Sequence, residues 1–574
     1  MGIISNAQNP ISKIEESLFE KSTHQSEMEC LLILKEQADV SFATKISSKE
    51  QKGAYVFTTL KNHAEKSQLR LLDFLKNEKI KHHNFLIVNA IYVKTSLKNI
   101  RILADFSEIA IIADNPWTHF DEPKNASLLA NEGDRTIEWG IQNIKADSVW
   151  LQGNKGQGVV IGGQDTGYQW DHPALKKTYR GYIDSTTTDH SYSWHDAIHG
   201  QSPLSKDSLN PCGFNTKAPC DDFGHGTHTM GTMVGDDGIG NQIGVAPSAR
   251  WVACRNMERG NGSPTTYIES FEWFLAPTDK DNKNPNPKKA PHVINNSWYC
   301  SPEEGCNSQA VSALMELAVN NLKKAGVFVV ISAGNAGSGC GTIPEAASGF
   351  ESGFTVGASD VNDAIGSFSS RGPKMFGDLQ KPYIKPNVVA PGVNIRSCVP
   401  GNAYAAGWNG TSMAGPHVAG VVALVISANS KLAGQVDAIE NIIEMSALKL
   451  TTTDTCGGLK NNVVPNFTFG YGRINALAAV KAAKTYLSNT NDTTQDTLFN
   501  VFPNPANAIL NIRTEQQNEK LEISIYNALG KKVLTQIEKN TQQVIFSLES
   551  LSVGTYFYEI QSEKGVQSGK FLKF

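Results

Sequence analysis

Little in this sequence points to a membrane, a nucleic acid or a metal. Its longest strongly apolar run, Val418 to Ala428, falls short of the ~20 residues that a membrane helix needs. There is no basic excess: Lys+Arg is 52, Asp+Glu is 56 and the net charge is −4, which argues against a nucleic-acid binder. A disordered acidic chain is excluded as well, because 40% of the residues are hydrophobic and only 19% charged. The nine cysteines include no Cys-x-x-Cys pair, which argues against a zinc ribbon or a thioredoxin-type site and favours an oxidising compartment. The amino terminus, Met1-Gly-Ile-Ile-Ser-Asn-Ala-Gln8, lacks the apolar stretch of a complete signal peptide. Export is therefore inferred from elsewhere in the chain. No internal repeat is found.

What is present is enough chain for several domains. At ~150 residues per domain, 574 residues suggest about four, or fewer if one is a large α/β unit. Residues 1–25 are polar and expected to be loose. Residues 26–115 read β-α-β-β-α-β, the ferredoxin-like order. The strands are Cys30–Leu34, Phe85–Val88, Ile91–Thr95 and Ile109–Ile112, and the helices lie around Leu69–Leu75 and Leu97–Ala104. Residues 116–136, with Pro116, Pro123 and Gly133-Asp134, read as an exposed, cleavable linker. From 137 to 485 apolar strands alternate with helical patterns: Gly158–Ile161, Ala249–Ala253, Val293-Ile294 and Val327–Ile331, with a crossover helix at Ala310–Lys324. That alternation predicts a parallel sheet flanked by helices. Residues 486–497 are a short polar linker. Residues 498–574 alternate with period two, as in Leu521–Tyr526, Val544–Phe546 and Tyr556–Ile560, which predicts a small β-sandwich.

Three segments of the central zone carry chemistry. Val159-Val-Ile-Gly-Gly-Gln-Asp165 places an acid at the end of a buried strand. Gly224-His225-Gly-Thr-His228 carries two histidines. Asn409-Gly-Thr-Ser412-Met-Ala-Gly-Pro-His417 runs into an apolar helix. A serine hydroxyl needs a base within hydrogen-bond reach, and the base needs a carboxylate to orient it. Ser412 opens its helix, so its backbone N–H can face a developing negative charge. Taken singly, each residue has a plainer reading: Asp165 as a cap or turn former, Asn335 as a turn residue, and Asp221 and Asp222 as loop charges. His228 and His417 read as structural hydrogen-bonders. His225 and His228 have the i, i+3 spacing of a metal pair, but no His-Glu-x-x-His pattern accompanies them.

Together the blocks resemble the subtilisin-like serine proteases, the subtilases. "HGTH" and "GTSMAGPHVAG" are long, specific signatures, and the chain order Asp, His, Ser is that family's. Within it the chain is similar to the bacillopeptidase F-like branch, through Tyr179-Arg-Gly181, Trp194-His-Asp196 and Asn295-Asn-Ser-Trp298. The resemblance spans about 137–485. It implies Asp165 as the orienting acid, His225 as the general base, Ser412 as the nucleophile and Asn335 as an oxyanion donor. Gln164 departs from the family pattern, which usually has an apolar residue there. For substrate binding it implies Asn296, Ser297, Trp298 and Tyr299 as the strand that pairs with extended substrate backbone, together with Gly334 and a pocket wall that includes Thr342 and Glu345. Residues 26–115 resemble an inhibitory prodomain. The C-terminal zone, with Phe502-Pro-Asn-Pro505 and Ile525–Gly530, resembles the type IX secretion sorting domain.

The resemblance therefore implies an α/β, subtilisin-like endopeptidase made as a self-inhibited zymogen and exported by a Gram-negative cell. Its partners would be protein or peptide substrates, its own prodomain and the type IX secretion machinery. No nucleic acid and no stable membrane span are expected. No cofactor is required and no metal site is assigned. Structural calcium is common in the family, but the loop Gly235–Asn241 does not match its best-known calcium loop, so none is placed. Two rivals from other classes are a non-catalytic adhesin on a dead protease scaffold and a metallohydrolase using His225 and His228. Among the cysteines, loss of the prodomain would remove Cys30 and leave eight. Cys212 and Cys220 flank an irregular insertion, Gly213–Pro219, and are the pair expected to be bonded. Cys254, in a buried strand, has a free thiol as its alternative.

Overall fold

The computed structural model describes residues 10–120, 127–129, 136–298, 308–344, 346–373, 383–459, 462–486, 499–502, 506, 509–527, 531–552, 554–563 and 565–573. The chain divides into two compact units, 1–488 and 489–574.

The first unit opens with a 3-10 turn, Pro10–Lys13, and helix α1 (Glu16–Ser22). These residues are folded where the polar composition predicted a loose end. Leu18 is fully buried, and the Lys13 ammonium donates to the carbonyls of Ala104 and Phe106, each at 2.8 Å, at a helix C-terminus where a cation is favoured. The next elements are β1 (Met28–Leu34), α2 (Lys49–Ser67), α3 (Leu69–Asn77), β2 (Lys81–Asn84), β3 (Ala90–Thr95), α4 (Leu97–Ala104) and β4 (Ile109–Asp114). The sheet order is β2-β3-β1-β4, with antiparallel neighbours.

One strand differs from the sequence reading. Phe85-Leu-Ile-Val88 is a bend after β2 rather than a strand. Its apolar residues are claimed by burial elsewhere: Phe85, Ile87 and Val88 are fully buried in a cluster shared with Phe271, Phe274, Val311 and Leu314 of the following domain. Backbone groups freed by the bend are satisfied across the same contact, as burial requires. Glu272 accepts from the Ile87 N–H (2.8 Å) and Asn321 donates to the Ile87 carbonyl (2.7 Å).

After β5 (Thr118–His119) and β6 (Ser127–Leu129) comes the large domain. It begins with α5 (Trp139–Asn143), α6 (Ala146–Trp150), β7 (Val160–Asp165), β8 (Trp194–Asp196), α7 (His225–Val234), β9 (Arg250–Arg255), β10 (Asn261–Gly262) and α8 (Pro264–Leu275). It continues through β11 (Val293–Asn296), α9 (Gln309–Lys324), β12 (Phe328–Ser332), β13 (Phe354–Ser359), β14 (Val388–Pro391), β15 (Ile395–Val399) and β16 (Ala403–Trp408). Three helices close it: α10 (Thr411–Ala428), α11 (Val436–Ser446) and α12 (Ala476–Thr485). Seven strands form one sheet in the order β14-β13-β12-β11-β7-β9-β8, and every pair is parallel. Such a sheet buries both faces: α10 and α12 contribute to one core, α8 and α9 to the other. Among the described residues α10 alone is long and apolar enough to cross a membrane, yet 89% of it is buried in this core.

The second unit carries β17 (Asn500–Phe502), β18 (Ile509–Asn527), β19 (Lys532–Ser547), β20 (Gly554–Ser562) and β21 (Gly565–Lys573). The long β18 pairs with β17, β19 and β20, so the unit is one continuous antiparallel sheet. Alternate residues, among them Leu521, Ile523, Ile525, Ile560 and Phe571, form its own core.

Trp251 in β9 is fully buried between Tyr168 and Tyr179 and donates to the Leu175 carbonyl (3.0 Å). Trp251→Ala should destabilise the first unit by about 3–5 kcal/mol, measured by denaturant unfolding of the Ser412→Ala protein.

Candidate active site

In a parallel sheet, functional side chains gather beyond the carboxyl ends of the strands. Asp165 is the last residue of β7 and His225 the first of α7. The His225 Nδ1 lies 2.7 Å from Asp165 Oδ1 and 2.9 Å from Oδ2, and both side chains are buried. The Thr166 N–H also donates to Asp165 Oδ1 (2.8 Å). This approach depends on Gly226: a Cβ there would lie 2.1 Å from the Gly167 carbonyl and 3.0 Å from Asp165 Cβ. Gly224, just before the helix, has φ +95°, a conformation that L side chains rarely adopt.

Ser412 sits in the first turn of α10. Its hydroxyl donates to the Ser297 carbonyl (3.1 Å), and the Ser297 hydroxyl donates back to the Ser412 carbonyl (2.8 Å). The buried His225 Nε2 has no hydrogen-bond partner among the described residues. Asn335 uses its Oδ1 to accept from the Thr411 N–H (2.9 Å) and hydroxyl (3.0 Å). That fixes which end of its amide is which: Nδ2 faces Gly410, 3.7 Å from where a Cβ would be. Gly334, at φ +100°, donates its N–H to the Thr411 hydroxyl (3.2 Å). Asp165 and His225 are thus hydrogen-bonded to each other, Asn335 is tied to Thr411 beside Ser412, and the Ser412 hydroxyl is held by Ser297 rather than by His225.

The residues expected to bind substrate divide. The side chains of Asn296 and Trp298 are fully buried, which leaves their backbone for an extended substrate. Asn296 donates to the Val330 carbonyl (2.8 Å) and accepts from Gln164, while Trp298 stacks on Tyr267 at 3.8 Å. Gln164, also held by Asn256 (3.1 Å), thereby has a structural reason to be polar. Ser297 touches Ser412 directly. Thr342 staples a loop, donating to the carbonyls of Gly337 (3.1 Å) and Gly339 (3.0 Å). Tyr299 and Glu345 lie outside the described residues.

His228 and His417 are held neutral. Burial, then repulsion from His225, lowers the His228 pKa well below its usual value, and the ring stacks on Trp408 at 4.2 Å. Burial lowers His417 to about 4, and its Nδ1 bonds the Met413 carbonyl (2.9 Å). Among the described residues no group of three or more His, Cys, Asp or Glu side chains is placed to hold a metal. Sequence reasoning missed Trp408, whose only signal is an aromatic residue beside Asn409. It also missed Phe120. Thr118–His119 pairs antiparallel with Asn261–Gly262, the Phe120 N–H donates to the Gly260 carbonyl (2.7 Å), and the Phe120 ring lies 4.5 Å from that of His225. The start of the expected linker is therefore laid into the site. The next described segment, Ser127–Leu129, pairs with β16.

Among the described residues two disulfides are formed, the expected Cys212–Cys220 and, in addition, Cys340–Cys456. Cys30, Cys254 and Cys398 are free and buried.

Fold and site define a class: an α/β domain presenting an acid, an imidazole and a hydroxyl in the order Asp, His, Ser around a parallel sheet. Residues 156–472 match the subtilase family, and residues 500–573 match the secretion system C-terminal sorting domain. The chain is 34% identical to bacillopeptidase F of Bacillus subtilis in an alignment of 512 residues that covers 83% of this chain and 33% of that protein. It is 30% identical to M-protease of Shouchella clausii over 65% of this chain and 76% of that protein. It is 31% identical to subtilisin DY of Bacillus licheniformis over 60% of this chain and all of that protein. The chain belongs to the subtilase family. It spans about a third of the length of bacillopeptidase F. Its C-terminal unit is a type IX sorting domain, which marks the protein as secreted or cell-surface in a Gram-negative bacterium.

Near the site, Glu269 on α8 accepts from His195 Nε2 (2.8 Å) and His199 Nε2 (2.9 Å). Burial opposes charge on His199, but the hydrogen bond and charge of Glu269 outweigh it and raise the pKa from 6.5 to about 9. A histidine pKa raised on folding stabilises fully below the unfolded value and loses that contribution as pH rises through the folded one. The Tm advantage of the Ser412→Ala protein over its His199→Gln derivative should therefore be full at pH 6 and vanish by about pH 10, as read by calorimetry across that range.

Asn335→Leu should lower kcat by ~10²–10³-fold with little change in KM, because an oxyanion exists mainly in the transition state. Steady-state kinetics on a peptide substrate tests this.

Proposed function

We propose that this protein is a secreted serine endopeptidase, made as a zymogen that its own N-terminal domain inhibits. The observation that carries the reading is the His225 ring, held at Nδ1 by both oxygens of Asp165 and unpartnered at Nε2. The Ser412 hydroxyl leaves the Ser297 carbonyl and attacks the peptide carbonyl carbon, its proton passing to His225 Nε2. Asp165 stabilises the imidazolium. The Ser412 N–H at the start of α10 and the Asn335 Nδ2 donate to the oxyanion. His225 then protonates the leaving amine. Water, activated by the same imidazole, releases the acyl group from Ser412. Every step uses the chain's own side chains, and no cofactor is invoked.

The zymogen reading is supported by the way the N-terminal domain is held. One apolar cluster runs through both domains. Asn115 accepts from the Thr265 N–H and hydroxyl at the start of α8 (3.1 and 2.6 Å), and Glu15 accepts from Ser308, which caps α9. Lys49 and Lys52 donate to the carbonyls of Ala290 (2.9 Å) and Gly434 (2.7 Å). With the domain so anchored, Thr118–Phe120 occupies the strand edge beside His225, where an extended substrate would pair. The domain blocks the site while offering it a bond to cut.

A fluorophosphonate probe should label Ser412 in the mature protein, whereas an adhesin on a dead scaffold would stay unlabelled. The purified Ser412→Ala precursor, with no other protease added, should remain uncut between residues 116 and 136. Release of its N-terminal domain would show that maturation is not autocatalytic.

A further inference from the structure

Asp221 lies between the two elements that carry the acid and the base, and none of its hydrogen bonds leaves that junction. Its carboxylate accepts five. Oδ1 takes the Thr166 hydroxyl (2.9 Å), the Phe223 N–H (3.1 Å) and the Gly224 N–H (2.7 Å). Oδ2 takes the Thr227 N–H (2.9 Å) and the Thr227 hydroxyl (2.6 Å). Thr166 follows Asp165, Phe223 and Gly224 precede His225, and Thr227 follows it. One carboxylate thus joins the end of β7 to the first turn of α7.

The proton directions are fixed by the neighbours. The Thr166 hydroxyl also accepts from the Gly226 N–H (3.1 Å), and the Thr227 hydroxyl from the Gln169 N–H (3.0 Å). An ionised Asp221 accepts the proton of each hydroxyl, and the other three groups are N–H donors. The position needs a pure acceptor, which an ionised carboxylate is and an amide is not. Donors at a helix N-terminus also favour a negative charge. Asp222 does something else: it faces Arg255 (3.6 Å) and accepts from the Arg259 N–H (3.0 Å). Asp221 is set in place from behind by Cys220, whose carbonyl accepts from the Tyr168 N–H (3.1 Å) and whose sulfur is bonded to Cys212.

We propose that Asp221 is a positioning residue for catalysis: it fixes the separation and orientation of Asp165 and His225 by tying Thr166 to the turn that carries the imidazole. The proposal rests on His225 acting as the base. Asp221 touches neither substrate nor reacting atoms, so its loss should appear in the chemical step and spare binding. Misplacement of a reacting group by about an ångström costs on the order of 10²-fold.

The test uses the mature, prodomain-free enzyme with a peptide substrate. Asp221→Asn keeps the size but turns an NH2 toward the Thr227 donors, or toward Thr166 and Gly224 if the amide flips. It should lower kcat at least tenfold and leave KM within twofold. Thr166→Val, which removes the hydroxyl link to Asp221 together with the acceptor of the Gly226 N–H, should lower kcat roughly three- to tenfold with KM unchanged. Because the two act through one link, the double variant should be no worse than Asp221→Asn alone within about twofold. Unchanged kcat in Thr166→Val, a rise in KM matching the fall in kcat, or fully multiplicative losses in the double variant would each overturn the proposal. If Asp221→Asn does not yield folded enzyme, the Thr166→Val result decides. Fluorophosphonate labelling of the unaltered enzyme separates this from the wider reading. Labelled wild type with unaffected variants sinks the role of Asp221 alone, while an unlabelled wild type sinks the peptidase reading and this proposal with it.

Discussion

The contact between Asp165 and His225 is the constraint around which the large domain is arranged. It joins the end of a central strand to the start of a helix 60 residues further on, and both groups are buried. Burying an ionisable pair is costly unless geometry and hydrogen bonding are complete. Completeness here comes from backbone: the Thr166 N–H on Asp165, and a helix start that only glycine at 226 lets come so close. The parallel sheet supplies the rest, since β7 lies between β11 and β9 and its end is fixed on both sides. Ser412 reaches the same place from another direction, by opening the helix that fills the core. Asp165 ends a strand, His225 and Ser412 open helices, and Asn335 follows β12 in a bend tied to Thr411.

A second consequence concerns the N-terminal domain. Its attachment uses the same two helices, α8 and α9, that cover one face of the sheet, so the N-terminal domain adds a third layer to an existing core. The apolar bend at Phe85–Val88 fills the apolar part of that layer. The polar part is provided at helix starts, where unpaired N–H groups need acceptors. Asn115 meets that need on α8, while on α9 Ser308 accepts from the Val311 N–H and donates its hydroxyl to Glu15, and Asn115 is five residues before Phe120. The anchor and the tail are therefore nearly continuous, and the tail's path along β10 follows from where the anchor lets go.

What the sequence could disclose depended on how local the cause was. Asp165, His225 and Ser412 each sit in a short frame of small residues whose spacing is itself the signal, so the site was legible before any fold was known. The parallel sheet was legible too, from apolar runs separated by helical periods. Phe85–Val88 was misread because an apolar run without periodicity fits a strand as well as a bend buried against another domain. Asn296 and Trp298 adjoin Ser297 in sequence, but β11 is covered on both faces, so its side chains are consumed by packing and little beyond backbone can serve a substrate. Residues 10–22 looked loose because one buried leucine and one lysine on helix-end carbonyls leave no compositional trace. Phe120 carried no local signal, since its role is set by β10, some 140 residues away.

The cysteines show the same division between local and distant causes. Cys254 and Cys398 lie inside strands of the core, and burial raises their thiol pKa values far above normal. A thiol that cannot ionise is a poor nucleophile, so these two behave as small apolar side chains even in an oxidising setting. The bonded cysteines lie in irregular segments with little core of their own. Cys212–Cys220 closes a short ring ahead of the His225 helix, and flanking position alone was enough to suggest it. Cys340–Cys456 spans 116 residues, a separation that no spacing rule could reveal. In the chain-entropy limit a ring of that size restrains the unfolded state by about 5 kcal/mol. It also fixes one end of the loop that Thr342 staples, beside Gly334 and Asn335. Oxidation thus follows the need for restraint: among the described residues the irregular segments are cross-linked, and the strands, already held by packing, keep their thiols.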